Sequence, residues 1–221
     1  MLKLGAVAES WPIAGSFTIS RGSKTAADVV VVTLSDGTHV GRGECVPYPR
    51  YEETVPQVLA ALQEARGRIE AGFGHVDVAA IVKPHAAQNA LDCALWELRA
   101  KQEGLPAWRL AGLPEPKPTI TAYTLSLDTP EAMGEAAARA AGRPLLKLKL
   151  GRDGDIERLK AIRANAPQCR LIVAANEGWT PANLASILKA CTDVGVELVE
   201  QPLPAGTDEA LRNMPRDVVA A

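Results

Sequence analysis

Apolar residues follow two patterns along the chain, one typical of strands and one typical of helices. The run VVVVTLSDGTHVGRGE, residues 29–44, predicts two strands joined at the Asp36–Gly37 turn, and FTISRGSKT before it predicts a strand with a mobile loop. Apolar residues then recur every three or four positions, which predicts helices over 54–72 and 85–104. We therefore expect an α+β capping domain over residues 1–115, ended by the proline-rich linker GLPEPKPT.

Strand and helix patterns alternate regularly after this linker. The predicted strands are TITAYTLSL, LLKLKL, LIVAAN, VELVEQP and DVVAA, and the last predicted helix is TDEALRNM. This alternation is typical of parallel βα units, so residues 116–221 are expected to form the N-terminal half of a (β/α)7β-type barrel. A closed barrel has about eight strands. We therefore expect an incomplete TIM-type barrel, as a fragment rather than as an open sheet or a barrel completed by another chain.

Composition narrows the functional classes. The chain has 221 residues, is 47% hydrophobic and 23% charged, and carries a formal net charge of -2. These values favour a soluble globular protein and give no electrostatic reason to expect nucleic acid or a membrane as a partner. The scattered cysteines form no C-x-x-C pair and are expected to be reduced thiols, and the N-terminus lacks a signal-peptide pattern. A cytoplasmic location is the resulting prediction.

Two lysines lie inside the apolar stretch LLKLKLG. In a strand, Leu146, Leu148 and Leu150 would share one face and Lys147 and Lys149 the other. Polar residues also end the next two strands, as NEGW after LIVAA and as EQP after VELV. Because active sites of parallel barrels lie at the carboxyl ends of the strands, we expect these groups to meet at one rim.

Four motifs, TAYTLSL, LLKLKLG, ANEGWTP and VELVEQPLP, resemble the barrel motifs of the enolase superfamily, in its muconate-lactonizing branch. They are most similar to those of the dipeptide epimerases of the L-Ala-D/L-Glu type. PIAGSFTISRGSKT and GRGECVPYPRYEET resemble that group's capping domain, with its specificity loop near residues 15–25. The resemblance implies α-proton abstraction next to a carboxylate through an enediolate, assisted by Mg2+, with Mn2+ possible as a substitute.

The same resemblance implies roles for individual residues. Lys149 would be the catalytic base, and Lys147 would lower its pKa and stabilise the enediolate. Glu200 would be a metal ligand, with Asn176 supporting the metal site. Ala174 occupies the position of the first metal ligand, where a methyl group cannot bind a cation, so we expect impaired activity. The resemblance places a second catalytic lysine and a third metal ligand beyond residue 221.

Three further residues are candidates for substrate binding. Thr124 ends the first barrel strand, at a family position near the base. Arg21 and Lys24 lie on the specificity loop, where a cation would suit an acidic second residue of a dipeptide. Their competing interpretations are a strand threonine and two solvated loop charges.

The residues leave other functions open. An N-acylamino acid racemase or an o-succinylbenzoate synthase would share the lysine pair. A non-catalytic remnant that binds a partner or ligand is favoured by Ala174, although buried lysines are costly to retain without chemistry. The resemblance implies a small dipeptide substrate and a homo-oligomer.

Overall fold

The structure is a computed structural model that describes residues 1–213 and 219–220. It forms two compact units, one of Met1–Pro12 with Ala26–Lys117 and one of Ile13–Thr25 with Pro118–Ala221. The domain boundary predicted near residue 115 falls between the helix Ala107–Leu110 and the strand Tyr123–Leu125.

A three-stranded sheet in the order β1-β2-β3 comes first in the chain. Its strands are β1 (Lys3–Ile19), β2 (Gly22–Ser35) and β3 (Val40–Cys45). β2 and β3 pair antiparallel from Val30↔Cys45 to Ser35↔Val40, which confirms the predicted hairpin. The Asp36 carboxylate accepts hydrogen bonds from the backbone N–H groups of Thr38 and His39, so the turn is closed by its own side chain.

Four helices follow: α1 (Val55–Ala71), α2 (Val78–Ile81), α3 (His85–Glu103) and α4 (Ala107–Leu110). The Thr54 side chain caps α1 by accepting from the Gln57 N–H, and Gly72 and Gly104 end α1 and α3, as predicted. The buried faces of α1 and α3 pack with the inward side chains of β2, including Val30, Val32 and Leu34. The apolar residues that recur with helical spacing in the sequence therefore form, with β2, the core of the first unit.

The loop predicted near residues 15–25 is instead the end of a β-hairpin. β1 continues to Ile19, Ser20 and Arg21 form the turn, and β2 begins at Gly22. The Thr18 carbonyl accepts a hydrogen bond from the Leu127 N–H at 3.0 Å, so this backbone is held by a partner that is remote in sequence. We call residues 13–25 the hairpin tip.

The second unit contains a five-stranded sheet in the order β4-β5-β6-β7-β8, and every neighbouring pair is parallel. The strands are β4 (Tyr123–Leu125), β5 (Leu145–Lys149), β6 (Arg170–Ala174), β7 (Val196–Glu200) and β8 (Val219–Ala220). The helices between them are α5 (Pro130–Arg139), α6 (Asp155–Asn165) and α7 (Pro181–Asp193). The predicted alternation of parallel strands and helices is confirmed.

Two elements of this unit differ from their predictions. The strand predicted over TITAYTLSL is only Tyr123–Leu125, because β4 pairs with β5 and the ladder begins at Tyr123↔Leu146. The helix predicted over TDEALRNM is a 3-10 helix, Asp208–Asn213. In the part of the chain that the structure describes, every helix is too short or too polar to cross a membrane.

A glycine-to-alanine pair tests the packing of α3 on β3. A Cβ at Gly43 would overlap the Ala90 carbonyl oxygen and lie 2.7 Å from the Ala94 nitrogen. We expect Gly43→Ala to lower the free energy of unfolding by about 2 kcal/mol or more, measured by urea denaturation.

Gly67→Ala is the matched control. Gly67 lies within α1, where an added Cβ meets nothing within 4 Å, so alanine should stabilise the helix by up to about 1 kcal/mol. Equal effects of the two substitutions would contradict the close approach of α3 to β3.

Candidate active site

Strand register brings the predicted site residues to one face of the parallel sheet. Thr124 pairs with Lys147, Lys149 pairs with Ala174, and Ala174 pairs with Glu200. Paired residues of neighbouring strands project to the same side, and alternate residues of one strand do so as well. These five side chains therefore lie on one face of the sheet, in two neighbouring rows: Thr124 with Lys147, and Lys149 with Ala174 and Glu200.

The opposite face of the sheet packs against helices. Leu146, Leu148 and Leu150 are fully buried there, in a core shared with Leu159 of α6 and Leu184 of α7. The leucines and lysines of LLKLKL are thus divided between the two faces as the sequence predicts. We call the lysine side the inner face.

Lys147 is ion-paired with Glu200 across the inner face. Both side chains are partly exposed, so solvent weakens this pair and its net contribution to folding stability is small. The pair has a larger effect on the chemistry of Glu200, because the Lys147 ammonium takes the place that a bound cation would have beside this carboxylate.

Lys149 is the most buried lysine of this face, with 8% of its surface exposed. Burial lowers the pKa of the Lys149 ammonium, the Lys147 and Arg21 charges lower it further, and Glu200 acts in the opposite direction. The ammonium lies 5.8 Å from the centre of the Phe17 ring, which belongs to the hairpin tip. A lysine held in this way is more easily neutral than an exposed one and can accept a proton.

The segments that follow β6 and β7 have unusual backbone geometry. Asn176, Glu177 and Gln201 have φ values of 50°, 66° and 48°, a left-handed conformation that is uncommon outside glycine. The Glu177 N–H donates to the Gln201 carbonyl at 2.7 Å, which ties the two strand ends together. The Asn176 side chain is buried, and its Oδ1 has no hydrogen-bond partner among the described residues. Strain and an unsatisfied acceptor at one position are features common at functional sites.

The three predicted substrate-binding residues lie in different settings. Thr124 is half-buried beside Lys147, and Lys24 is exposed on β2. Arg21 is engaged by the protein itself: its Nη1 donates to the Asn176 carbonyl at 2.7 Å and to Glu177 Oε2 at 3.0 Å. Roles for these residues in substrate binding stay predictions.

Asp155 is a structural centre that the sequence interpretation missed. This buried carboxylate accepts from the Gly151 N–H at 2.8 Å and from Trp179 Nε1 at 2.7 Å, and it pairs with Arg158 at 2.9 Å. It therefore links the segments that follow Lys149 and Asn176. The sequence signal that could have indicated Asp155 is a carboxylate in the first turn of a helix, four residues after Gly151.

The described residues do not fit a divalent-cation site. They contain no group of three or more Asp, Glu, His or Cys side chains placed to hold a metal. Glu200 is paired with Lys147, and Ala174 places a methyl group between Glu200 and Lys149. Asn176 Oδ1 is a neutral oxygen and does not replace a carboxylate in binding Mg2+.

An α+β domain followed by parallel βα units, with a lysine pair at the end of the second strand, defines the class of enolase-like proteins. Residues 131–220 match the family described as "Enolase C-terminal domain-like". Residues 1–112 match "Mandelate racemase / muconate lactonizing enzyme, N-terminal domain". The chain belongs to the mandelate racemase/muconate lactonizing enzyme family of the enolase superfamily.

Individual relatives are epimerases. The L-Ala-D/L-Glu epimerase of Escherichia coli (strain K12) is 42% identical over 207 residues, which are 93% of this chain and 64% of that protein. The chain thus spans less than two thirds of the length of this relative.

Solved structures agree with this relationship. One is an enolase family member from Agrobacterium tumefaciens with homology to dipeptide epimerases, solved with bound sodium and L-Ala-L-Glu. It is 46% identical, with a TM-score of 0.95 over 100% of this chain and 68% of that one. The dipeptide epimerase of Enterococcus faecalis V583, complexed with Mg and L-Leu-L-Tyr, is 29% identical, with a TM-score of 0.87 over 98% of this chain and 65% of that one. Both of these neighbours therefore hold a dipeptide, and the second also holds Mg.

The lowered pKa of Lys149 predicts a specific pH dependence of folding stability. Because the folded pKa lies below the ordinary lysine value of 10.5, the unfolded state binds more protons between the two values, and stability rises with pH across that interval. Lys149→Met removes the buried charge, so its stability relative to the parent should be greatest at low pH and should decline as pH approaches 10.5.

Urea denaturation at several pH values measures this difference. Lys160→Met, at an exposed position on α6, is measured beside it as the control for replacing a lysine by methionine. A pH-independent difference for Lys149→Met would contradict a lowered pKa.

A second prediction concerns cation binding. We expect Mn2+ titration, followed by the electron paramagnetic resonance signal of the free ion, to give only weak binding, on the order of millimolar or weaker. Ala174→Asp adds a carboxylate beside Glu200 in the β6–β7 register, and we expect roughly tenfold or more tighter binding.

Ala174→Asn has the same shape without the charge and should leave the binding weak. Tight Mn2+ binding by the parent chain would contradict the interpretation of Ala174 and of the Lys147–Glu200 pair.

Proposed function

We propose that this chain carries the proton-abstracting part of a dipeptide epimerase active site, of the L-Ala-D/L-Glu type. The observation that carries the proposal is the placement of Lys149, buried and beside Lys147, on the inner face of the sheet. The E. coli relative and the dipeptide-bound neighbours support this choice of reaction and substrate class.

The chemistry follows from the protonation state of Lys149. Its neutral Nζ removes the α-proton of the dipeptide residue that bears the free carboxylate, and the electron pair of the broken C–H bond moves into that carboxylate as an enediolate. The Lys147 ammonium favours the added negative charge. Return of a proton from Lys149 to the same face regenerates the starting epimer, so this lysine alone supports exchange without inversion.

The remaining assignments extend the proposal. Thr124, Arg21 and Lys24 would contact the dipeptide, with the cations suited to an acidic second residue. Mg2+, with Mn2+ as a substitute, would supply charge stabilisation in an intact site, but Ala174 leaves this chain impaired because the described residues do not fit the ion. A cytoplasmic location remains a prediction from composition, and a homo-oligomeric state remains what the family resemblance implies.

A second candidate is a binding protein without turnover. Ala174 and the Lys147–Glu200 pair favour it, because a face that neutralises its own carboxylate has lost an attraction for cations. Such a protein would bind a dipeptide and leave the α-proton in place.

Proton NMR of L-Ala-L-Glu in D2O with Mg2+ tests the proposal. We expect negligible loss of the glutamate α-proton signal with the parent, and measurable loss with Ala174→Asp. Adding Lys149→Arg to Ala174→Asp should slow the exchange by about 100-fold or more, since a guanidinium is not a base at neutral pH.

Ala174→Asn is the control for the shape of the new side chain and should behave as the parent. Exchange that survives Lys149→Arg would contradict the role of Lys149. If Ala174→Asp binds both Mn2+ and the dipeptide and still leaves the α-proton in place, the binding-protein alternative is supported instead.

A further inference from the structure

Glu177 lies where β6 turns away from the sheet, and its contacts extend in three directions. Its backbone N–H donates to the Gln201 carbonyl, and its Oε1 accepts from the Ala205 N–H at 3.3 Å. Its Oε2 pairs with Arg21 of the hairpin tip at 3.0 Å. With only 11% of its side chain exposed, this carboxylate is less screened by solvent than a surface charge.

The hairpin tip contacts the strand ends mostly through main-chain carbonyls. Ser20 Oγ and Arg21 Nη1 both donate to the Asn176 carbonyl, at 2.8 and 2.7 Å. The Leu127 N–H donates to the Thr18 carbonyl. In these hydrogen bonds at most one partner, the Arg21 guanidinium, is charged. The Arg21–Glu177 contact joins two opposite charges and is therefore the stronger type.

Phe17 is positioned by the same tip. Its ring lies over the Lys149 ammonium, and the residues that follow it are held by the Leu127–Thr18 hydrogen bond and by Arg21. Loss of the Arg21 contact would leave the turn held by the weaker contacts of Ser20 and Arg152, and so would loosen the ring that covers Lys149.

We propose that Glu177 is a positioning residue: through Arg21 it holds the hairpin tip on the ends of β5 and β6, so that Phe17 covers Lys149. The consequence for catalysis rests on the proposed function, but the positioning itself does not. Arg21 then acts within the protein, and not only as a cation for an acidic substrate side chain.

Amide hydrogen exchange of the free protein, followed by NMR, tests this positioning without substrate. The reporter is the Leu127 N–H, which is protected by Thr18 of the tip. We expect Glu177→Gln and Arg21→Gln each to speed its exchange by roughly 3- to 10-fold, because local opening sets the exchange rate of such an amide. The double variant should exchange no faster than the faster single variant, because Glu177 acts on the tip through Arg21.

Two further variants separate positioning from general loosening. Arg21→Lys keeps a cation and should retain Leu127 protection within about twofold. Glu197→Gln removes the partner of Arg170 in another ion pair, and should leave Leu127 unchanged.

The Lys149 side chain supplies a spectroscopic readout. A ring above an aliphatic chain shifts its proton resonances upfield, so Phe17→Leu defines the shift that the ring causes. We expect Glu177→Gln and Arg21→Gln to move the Lys149 Hε resonances part of the way toward their positions in Phe17→Leu.

Unchanged Leu127 exchange and unchanged Lys149 shifts in Glu177→Gln would overturn the proposal. Faster Leu127 exchange in Arg21→Gln but not in Glu177→Gln would also overturn it, since Arg21 would then act through Asn176 alone. Because both measurements use the free protein, a failure of α-proton exchange would count against the proposed function and leave this result standing.

Discussion

Two ammonium groups on one strand are the constraint on which the rest of this site depends. Alternation along β5 sends its leucines to the helix-packed core and forces Lys147 and Lys149 together on the inner face. Two adjacent positive charges are tolerated because one of them, Lys147, is paired with Glu200. The other, Lys149, is buried and has no comparably close carboxylate among the residues that the structure describes. Its protonated form is therefore destabilised, which is what a proton acceptor requires.

The backbone around these lysines is built for close approach. Cβ atoms at Gly151 and Gly178 would overlap backbone atoms of the facing segment, so the ends of β5 and β6 meet at a contact that only glycine permits. Asp155 then joins the same two segments through Gly151 and Trp179. The rigidity of the site therefore comes from residues that carry none of its chemistry, as a preorganised site requires.

Local signals made much of this architecture predictable. The apolar spacing over 54–72 located α1, and the alternation in LLKLKL assigned each lysine to its face. The contacts of Arg21 were beyond sequence reasoning, because its partners lie 155 and 156 residues further along the chain. Its pairing with Glu177 depends on where the hairpin tip docks, and no local propensity encodes that.

The central claim is that Lys149 is a lysine whose charged form is disfavoured by its surroundings. Heteronuclear NMR of the protein with labelled lysines measures this most directly, with the Lys149 signal assigned from its loss in Lys149→Arg. The account predicts that the Lys149 Nζ titrates below the ordinary lysine value of 10.5. Titration of Lys149 at that ordinary value would contradict it and would remove the physical basis for Lys149 as the base.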